Sequence, residues 1–313
     1  MNLIFMGTPD FSVPVLESLV EARHNVMAVV TQPDKPKGRG NQMQMTPVKE
    51  KALEYGIDKI YQPEKIRGNE AFYEEMKKLN PDAMVVVAFG QILPKQILDL
   101  PKYGCINVHA SILPMYRGSA PIQWAIINGE TETGVTTMYM DEGIDTGDML
   151  LKEYVQIAAD DTGGSLFDKL SRIGGPLAVK TLEAIENGTI KRVKQEGDTC
   201  YSPILKKQTG KIDWSKPAVY IERLIRGLDP WPSAYTAING RTLKLWKAEV
   251  TDKEFDGEYG EVIAVSDDCF CVKTGEGALV VRELQLEGKK RMTTDAFLRG
   301  YHIECGMKLG AEE

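Results

Sequence analysis

The chain has 313 residues, enough for two domains and a sizeable core, and its 42 % hydrophobic and 27 % charged residues are ordinary for a globular protein. A net charge of −7 at pH 7 excludes a uniformly basic surface, so a polyanionic partner would have to meet local basic patches. The five cysteines are scattered and contain no Cys-x-x-Cys pair, which argues against zinc and against a disulfide framework.

The beginning of the chain also bears on where the protein works. Residues 3–6 are apolar, but the run stops at Gly7 and has neither a charged leader region nor the length of a membrane span. We therefore expect no signal peptide and no membrane anchor. Scattered, unpaired cysteines suit a reducing compartment, so we expect a cytoplasmic protein.

The first half of the chain alternates strand and helix patterns. Apolar runs predict strands at residues 3–6, 26–30, 82–90 and 105–109, and amphipathic patterns predict helices at 11–22, 47–55 and 69–79, with a short helix starting near 93. This alternation predicts a Rossmann-like, mostly parallel sheet with helices on both faces. The turn Gly7-Thr8-Pro9 lacks the three-glycine fingerprint, which argues against a nicotinamide cofactor.

Residues 31–46 are rich in proline, glycine and lysine, which predicts a mobile loop at the ligand side of the second strand. This loop carries Lys35, Lys37 and Arg39. Further strands are predicted at 134–140 and 149–157. Between them lies an acidic stretch, 141–148, whose spacing does not fit a calcium loop, so we interpret it as a turn with one functional carboxylate, Asp145.

A long helix is predicted over residues 162–187, with an interruption or bend at Gly174-Gly175-Pro176 and a stop at Gly188. A basic segment follows, which we interpret as a linker; its basic residues are Lys191, Arg192, Lys194, Lys206, Lys207 and Lys211. After a helix within 214–227, five short strands at hairpin spacing predict a small β-barrel of the oligonucleotide-binding (OB) type. The predicted organisation is a catalytic domain at 1–189, a basic linker at 190–208 and an OB-like C-terminal domain at 209–313.

Polar side chains stand at the end of one predicted strand. Asn107 and His109 alternate about Val108, so both point to the same face, at the edge where open α/β sheets bind ligands. Asp145 follows the end of another strand of the same sheet. An Asp–His pair can transfer protons, and an Asn amide can stabilise an oxyanion. A lone histidine here would be read as structural; the combination favours catalysis.

No serine or cysteine is arranged beside these three residues as an acyl-enzyme nucleophile. Cys105 lies on the same strand within an apolar run, which predicts a buried thiol. The pattern therefore predicts direct acyl transfer through a tetrahedral intermediate, without a metal.

Eight motifs along the chain form a recognisable set. They are Met6-Gly7-Thr8-Pro9-Asp10-Phe11, Gln32-Pro33-Asp34-Lys35-Pro36, Gly38-Arg39-Gly40, Asn107-Val108-His109-Ala110-Ser111, Leu113-Pro114, Arg117-Gly118, Ala120-Pro121-Ile122-Gln123 and Asp145-Thr146-Gly147. On these motifs the chain resembles the methionyl-tRNA formyltransferases over essentially its full length. The Asn, His, Leu-Pro and later Asp are shared with other enzymes that use 10-formyltetrahydrofolate, whereas the Arg39 loop, the run from Arg117 to Gln123 and the C-terminal barrel point to the tRNA enzymes.

The resemblance implies transfer of a formyl group from 10-formyltetrahydrofolate to the α-amino group of methionine on initiator tRNA, by a monomer. It implies Asn107, His109 and Asp145 as catalytic residues, with His109 and Asp145 paired directly or through a water. The tRNA contacts expected are Arg39, Lys35, Lys37, Lys206 and Lys207. The folate contacts expected are Ser111, Ile112, Leu113 and Pro114, with the strand end at Val87, Phe89 and Gly90.

Three other functions remain open from the sequence. A formyl-folate enzyme with another acceptor, such as a sugar-nucleotide amine or water, would not need the basic segment. A nucleic-acid-binding module with an inert α/β domain would have no use for the Asn107, His109 and Asp145 combination. A nicotinamide oxidoreductase is disfavoured by the missing glycine fingerprint.

Overall fold

The computed structural model describes residues 1–37, 42–253 and 255–310. The chain forms two compact units. The first contains Met1–Pro121, Glu132–Val155 and Phe167–Ser202, and the second contains Ile122–Thr131, Gln156–Leu166 and Pro203–Glu313. Among the described residues, no helix combines the length and the apolar composition that a membrane crossing requires. The predicted boundaries at 189 and 208 stay a prediction.

Every strand and helix expected before residue 110 is present, with ends shifted by a few residues at most. Through residue 202 the elements are β1 (Asn2–Gly7), α1 (Val13–Glu21), β2 (Asn25–Val30), β3 (Lys35–Lys37), β4 (Gln42–Gln44), α2 (Pro47–Glu54), β5 (Ile60–Tyr61), α3 (Glu70–Leu79), β6 (Ala83–Val87), α4 (Lys95–Leu98), β7 (Cys105–His109), β8 (Arg117–Gly118), α5 (Pro121–Asn128), β9 (Glu132–Tyr139), β10 (Met149–Gln156), α6 (Gly163–Glu186) and β11 (Tyr201–Ser202).

The first unit is built on a seven-stranded sheet in the order β10-β9-β7-β6-β1-β2-β5. The pairs β7–β6, β6–β1, β1–β2 and β2–β5 are parallel, whereas β9 runs antiparallel to β7. The predicted mostly parallel sheet is therefore confirmed. Buried apolar strands such as β6 lie in its middle, as parallel sheets covered on both faces require.

The loop predicted over residues 31–46 is only partly a loop, because β3 and β4 form a short antiparallel hairpin within it. Its base is fixed by local polar contacts: the Thr31 and Thr46 hydroxyls lie 2.8 Å apart, and Lys49 Nζ lies 2.6 Å from Asp34 Oδ2. Strands of three residues, one containing Pro36, have no alternating pattern, so they cannot be predicted from the sequence.

Helix α6 runs unbroken through Gly174-Gly175-Pro176, so an interruption there is wrong, whereas a bend stays a prediction. The two glycines instead allow close packing. A Cβ on Gly175 would overlap the Ser18 hydroxyl and lie 2.8 Å from the Pro14 carbonyl oxygen of α1. A Cβ on Gly174 would lie 3.3 Å from Val108 Cγ1, on the face of β7 opposite Asn107 and His109. Small residues here let α6 support the strand that carries these side chains.

The second unit contains an antiparallel β domain with all five predicted strands. The sheet order is β12-β13-β16-β15-β14, and β17 pairs with β16. The β12–β13 turn is Asn239-Gly240, whose φ values of 47° and 68° are those of a tight hairpin turn. The elements after residue 202 are α7 (Ala218–Gly227), β12 (Ala234–Ile238), β13 (Arg241–Thr251), β14 (Val262–Val265), β15 (Phe270–Lys273), β16 (Ala278–Leu286), β17 (Met292–Thr293) and α8 (Thr294–Leu298).

The packing of α6 on α1 gives a test of stability. Gly175→Ala should lower the free energy of unfolding by about 1–3 kcal/mol, because the Pro14 backbone cannot move away without a shift of the helix. Gly300→Ala is the control, since no atom lies within 4 Å of an added Cβ there. Urea unfolding of the full chain measures both. Equal midpoints for Gly175→Ala and the parent would show that the α1–α6 contact yields easily.

Candidate active site

The site is built on the carboxyl end of β7, between β6 and β9. Asn107 pairs in register with Val86 of β6 and Met138 of β9, and His109 lies opposite Thr136. Asn107 is half-buried and His109 is buried, with 6 % of its surface exposed. Polar groups this deep need partners, and both side chains have them.

The His109 ring is oriented by the chain that follows β7. Its Nε2 lies 3.0 Å from the carbonyl oxygen of Tyr116. A carbonyl can only accept a hydrogen bond, so Nε2 carries a proton and the other nitrogen, Nδ1, faces Asp145. The distance from Nδ1 to Asp145 Oδ2 is 3.7 Å, which is close for a charge contact and long for a hydrogen bond.

The Asp145 carboxylate is held by two N–H donors. Asn107 Nδ2 donates to Oδ1 at 3.3 Å, and the Gly118 backbone N–H donates to Oδ2 at 2.8 Å. Asp145 itself has a φ of 53°, a left-handed conformation that is uncommon for a residue with a side chain. The structure therefore brings together the three residues predicted from the sequence.

One detail of the expectation is wrong: Asp145 does not come from a strand end. Strand β9 ends at Tyr139, which lies opposite Ile106. Ile106 precedes Asn107 on β7, so β9 ends toward the start of β7, away from His109. The loop after β9 returns along β7 to place Asp145 at His109. This route could not be predicted from the sequence, because it depends on β9 being antiparallel.

Arg117 and Gly118 form β8, which pairs in parallel with β11. Gly118 has a φ of 110°, and a Cβ there would lie 2.8 Å from the Ser202 carbonyl oxygen. Glycine is required at this position on both counts. Its position lets the Gly118 N–H reach the Asp145 carboxylate.

Sequence reasoning missed Gln195, which lies in the segment interpreted as a basic linker. Its side-chain Nε2 donates to the carbonyl oxygens of Asp145 and Gly147, both at 2.8 Å, and its Oε1 accepts from Arg117 Nε at 2.9 Å. The segment is marked in the sequence by its basic charge, and no local pattern marks a single glutamine as a contact.

The turn after β7 is fixed by a second set of contacts. Thr136 Oγ1 donates to the Ser111 carbonyl and accepts from the Leu113 N–H, while Lys152 Nζ donates to the Leu113 carbonyl at 2.6 Å. Burial lowers the pKa of Lys152, because its ammonium group loses part of its hydration.

Comparisons with known proteins agree over the whole chain. The Formyl transferase family model matches residues 1–182, and the Formyl transferase, C-terminal domain model matches residues 204–302. The methionyl-tRNA formyltransferase of Agathobacter rectalis is 59 % identical over 307 residues, which cover 98 % of each chain. That of Lachnospira eligens is 54 % identical over 316 residues, covering 99 % of this chain and all of the relative.

The chain belongs to the methionyl-tRNA formyltransferase family.

A solved structure extends the likeness in fold. WlaRD, a sugar 3N-formyl transferase crystallised in the presence of dTDP and 5-N-formyl-THF, superimposes with a TM-score of 0.66. It is 21 % identical, and the match covers 93 % of this chain and 99 % of that one. At this identity the likeness shows the fold alone.

The residues expected to contact folate lie on both sides of the β7 end. Ser111, Leu113, Val87 and Phe89 are buried, whereas Ile112 and Pro114 are half-buried. Gly90 is exposed with a φ of 84°. The buried side chains pack below the surface of the site. A ligand would therefore contact mainly the half-buried side chains of Ile112 and Pro114 and the backbone after Val87.

Of the residues expected to contact tRNA, Lys35 is exposed on β3, Lys37 ends the same strand, and Lys206 and Lys207 are exposed. Arg39 lies outside the described residues. Arg192, from the basic segment, already pairs with Asp148 at 2.9 Å and lies over the Tyr139 ring.

All five cysteines are free thiols. Burial raises the pKa of Cys105 to about 12, so it stays a neutral thiol at physiological pH and is unsuited to act as a nucleophile. This confirms the predicted burial of Cys105. In the part of the chain that the structure describes, no group of three His, Cys, Asp or Glu residues is arranged to hold a metal ion.

Proposed function

We propose that this protein transfers the formyl group of 10-formyltetrahydrofolate to the α-amino group of methionyl initiator tRNA, with Asn107, His109 and Asp145 as its catalytic residues. The product is N-formylmethionyl-tRNA, which is used to begin translation. The observation that carries the proposal is the meeting of these three side chains at one sheet edge, in a chain of this family. It acts as a monomer in the cytoplasm, where its charged tRNA substrate and a reducing environment are found.

The chemistry follows from the geometry. The amine nitrogen attacks the formyl carbon, a new C–N bond forms, and the carbonyl oxygen becomes an oxyanion. The Asn107 amide has a second N–H, besides the one given to Asp145, that can donate to this oxyanion. When the tetrahedral intermediate collapses, the bond from the formyl carbon to N10 breaks and the tetrahydrofolate leaves.

A proton moves overall from the amine to N10 of the folate, and the Asp145–His109 pair serves both transfers. Asp145 accepts from two neutral N–H groups that orient its carboxylate, and its Oδ2 lies 3.7 Å from His109 Nδ1, within reach of a proton passed between the two side chains. His109 stands beside it with Nε2 fixed on the Tyr116 carbonyl, so the ring cannot turn away.

The two substrates approach from different surfaces. The folate lies against Ile112 and Pro114 on one side and the exposed backbone at Gly90 on the other. The tRNA is bound by separate basic groups, which we assign to Lys35, Lys37 and Arg39 from the stretch of sequence between β2 and α2 and to Lys206 and Lys207. Local patches are required because the chain as a whole is acidic.

The choice of acceptor gives the first test. With 10-formyltetrahydrofolate as donor, we expect rapid formylation of methionyl initiator tRNA and little reaction with free methionine or an amino sugar nucleotide, because binding energy from the rest of the tRNA is needed at the reacting centre. Radiolabelled formyl transfer measures each acceptor. Faster reaction with the sugar nucleotide would overturn the proposal.

Asp145→Asn should lower the turnover rate by about 10²–10⁴-fold while leaving the fold and folate binding intact, because the amide keeps the shape but cannot accept the proton. His109→Ala and Asn107→Ala should behave alike, and combined losses should be less than additive because the three residues act as a unit. Steady-state kinetics and folate difference absorbance test this. Near-normal turnover in Asp145→Asn would remove it from the mechanism.

Lys206→Ala with Lys207→Ala should weaken tRNA binding and flatten the slope of log affinity against log salt by about two, because each lost phosphate contact retains its counterion. Folate binding should not change. Lys77→Ala with Lys78→Ala removes the same charge from an exposed pair that already contacts Glu74 and Glu75, so it is a matched control. Superimposable slopes for both double variants would show that Lys206 and Lys207 do not contact tRNA.

A further inference from the structure

The segment between α6 and β11 makes an unexpectedly specific contact with the active-site loop. Gln195 is half-buried, and both ends of its side-chain amide are used. The nitrogen bridges the carbonyl oxygens of Asp145 and Gly147, and the oxygen accepts from Arg117, the residue before Gly118. One side chain therefore joins the loop that carries Asp145 to β8, the strand whose Gly118 N–H binds the Asp145 carboxylate.

The loop needs such a contact because its own hydrogen bonds lie elsewhere. Asp141 Oδ1 accepts from the Gly143 N–H and the Thr146 hydroxyl, which fixes the loop tip. Residues 141–144 are exposed, and Ile144 has 55 % of its surface in solvent. Asp145 is in a left-handed conformation that costs free energy and persists only where its surroundings enforce it.

We propose that Gln195 is a positioning residue for the transfer reaction: it holds the backbone of Asp145 so that the carboxylate faces His109 and Asn107. The Gly118 N–H fixes the carboxylate end and Gln195 fixes the carbonyl end, so the residue is held at both ends. This inference rests on the proposed function, since it requires Asp145 to be catalytic. Gln195 acts through Asp145 and does not touch the reacting atoms.

Gln195→Met keeps the length of the side chain and removes its hydrogen bonds to the Asp145 and Gly147 carbonyls and from Arg117. We expect turnover at saturating substrates to fall about 10–100-fold, because a catalytic group displaced by about 1 Å loses rate on that scale. The KM values for folate and for tRNA should change by less than about threefold, since neither substrate is contacted. Gln285→Met is the control: it is also half-buried, and it loses one bond to a backbone carbonyl, that of Lys289.

Gln195→Glu separates the two halves of the contact. The carboxylate can still accept from Arg117, but it cannot donate to the Asp145 and Gly147 carbonyls and would place negative charge against them. We expect a loss of turnover at least as large as in Gln195→Met. Full activity in Gln195→Glu would show that the Arg117 contact is what matters, and would overturn the proposal.

A double-mutant cycle with Asp145→Asn decides whether the effect passes through Asp145. In the Asp145→Asn background, Gln195→Met should change turnover by less than about twofold. Losses that multiply would show that Gln195 acts by general stability or by another route, and unfolding midpoints of all variants identify the former. If Asp145→Asn keeps its activity, the proposed site fails; if Asp145→Asn loses activity and Gln195→Met does not, only the inference about Gln195 fails.

Discussion

The Asp145 carboxylate is the constraint on which the rest of the site depends. Its side chain is 14 % exposed, and a buried charge costs free energy unless hydrogen-bond donors replace the lost water. Here the donors are the Asn107 amide and the Gly118 N–H, both neutral. The two oxygens thus accept from neutral donors, and Oδ2 also faces His109 Nδ1 at 3.7 Å. The segments around it, which are β7, β8, β11 and the loop after β9, support this arrangement.

That support relies on close backbone approaches. Gly118 lies against the Ser202 carbonyl, a Cβ on Gly147 would overlap the Tyr139 carbonyl oxygen, and Gly174 lies behind Val108 on the reverse of β7. A methyl group at Gly118 or Gly147 would push apart segments next to Asp145, and one at Gly174 would crowd the Val108 side chain of the strand that carries His109. The site is therefore set by packing at some distance from the chemistry as much as by the polar residues themselves.

The sequence predicts the sheet and the positions of Asn107 and His109 because both depend on local patterns: apolar runs define β6 and β7, and the two-residue period of a strand puts both side chains on one face. Asp145 could be singled out as a carboxylate, but its route depends on the direction of β9, which is a property of tertiary pairing. Gln195 and the β3–β4 hairpin cannot be predicted for a different reason: a single glutamine has no periodicity, and three-residue strands are too short to show one.

Gln195 also affects where this chain can be divided. The residues that follow α6 lead toward the second unit, yet Arg192, Gln195 and β11 all contact the loop or strand beside Asp145. A fragment that ended at residue 189 would keep Asn107, His109 and Asp145 but would leave the Asp145 and Gly147 carbonyls without their side-chain donor and β8 without its partner strand. A fragment that continued through Ser202 would retain both. The contacts that position Asp145 therefore extend past the last long helix of the first unit into the connecting segment.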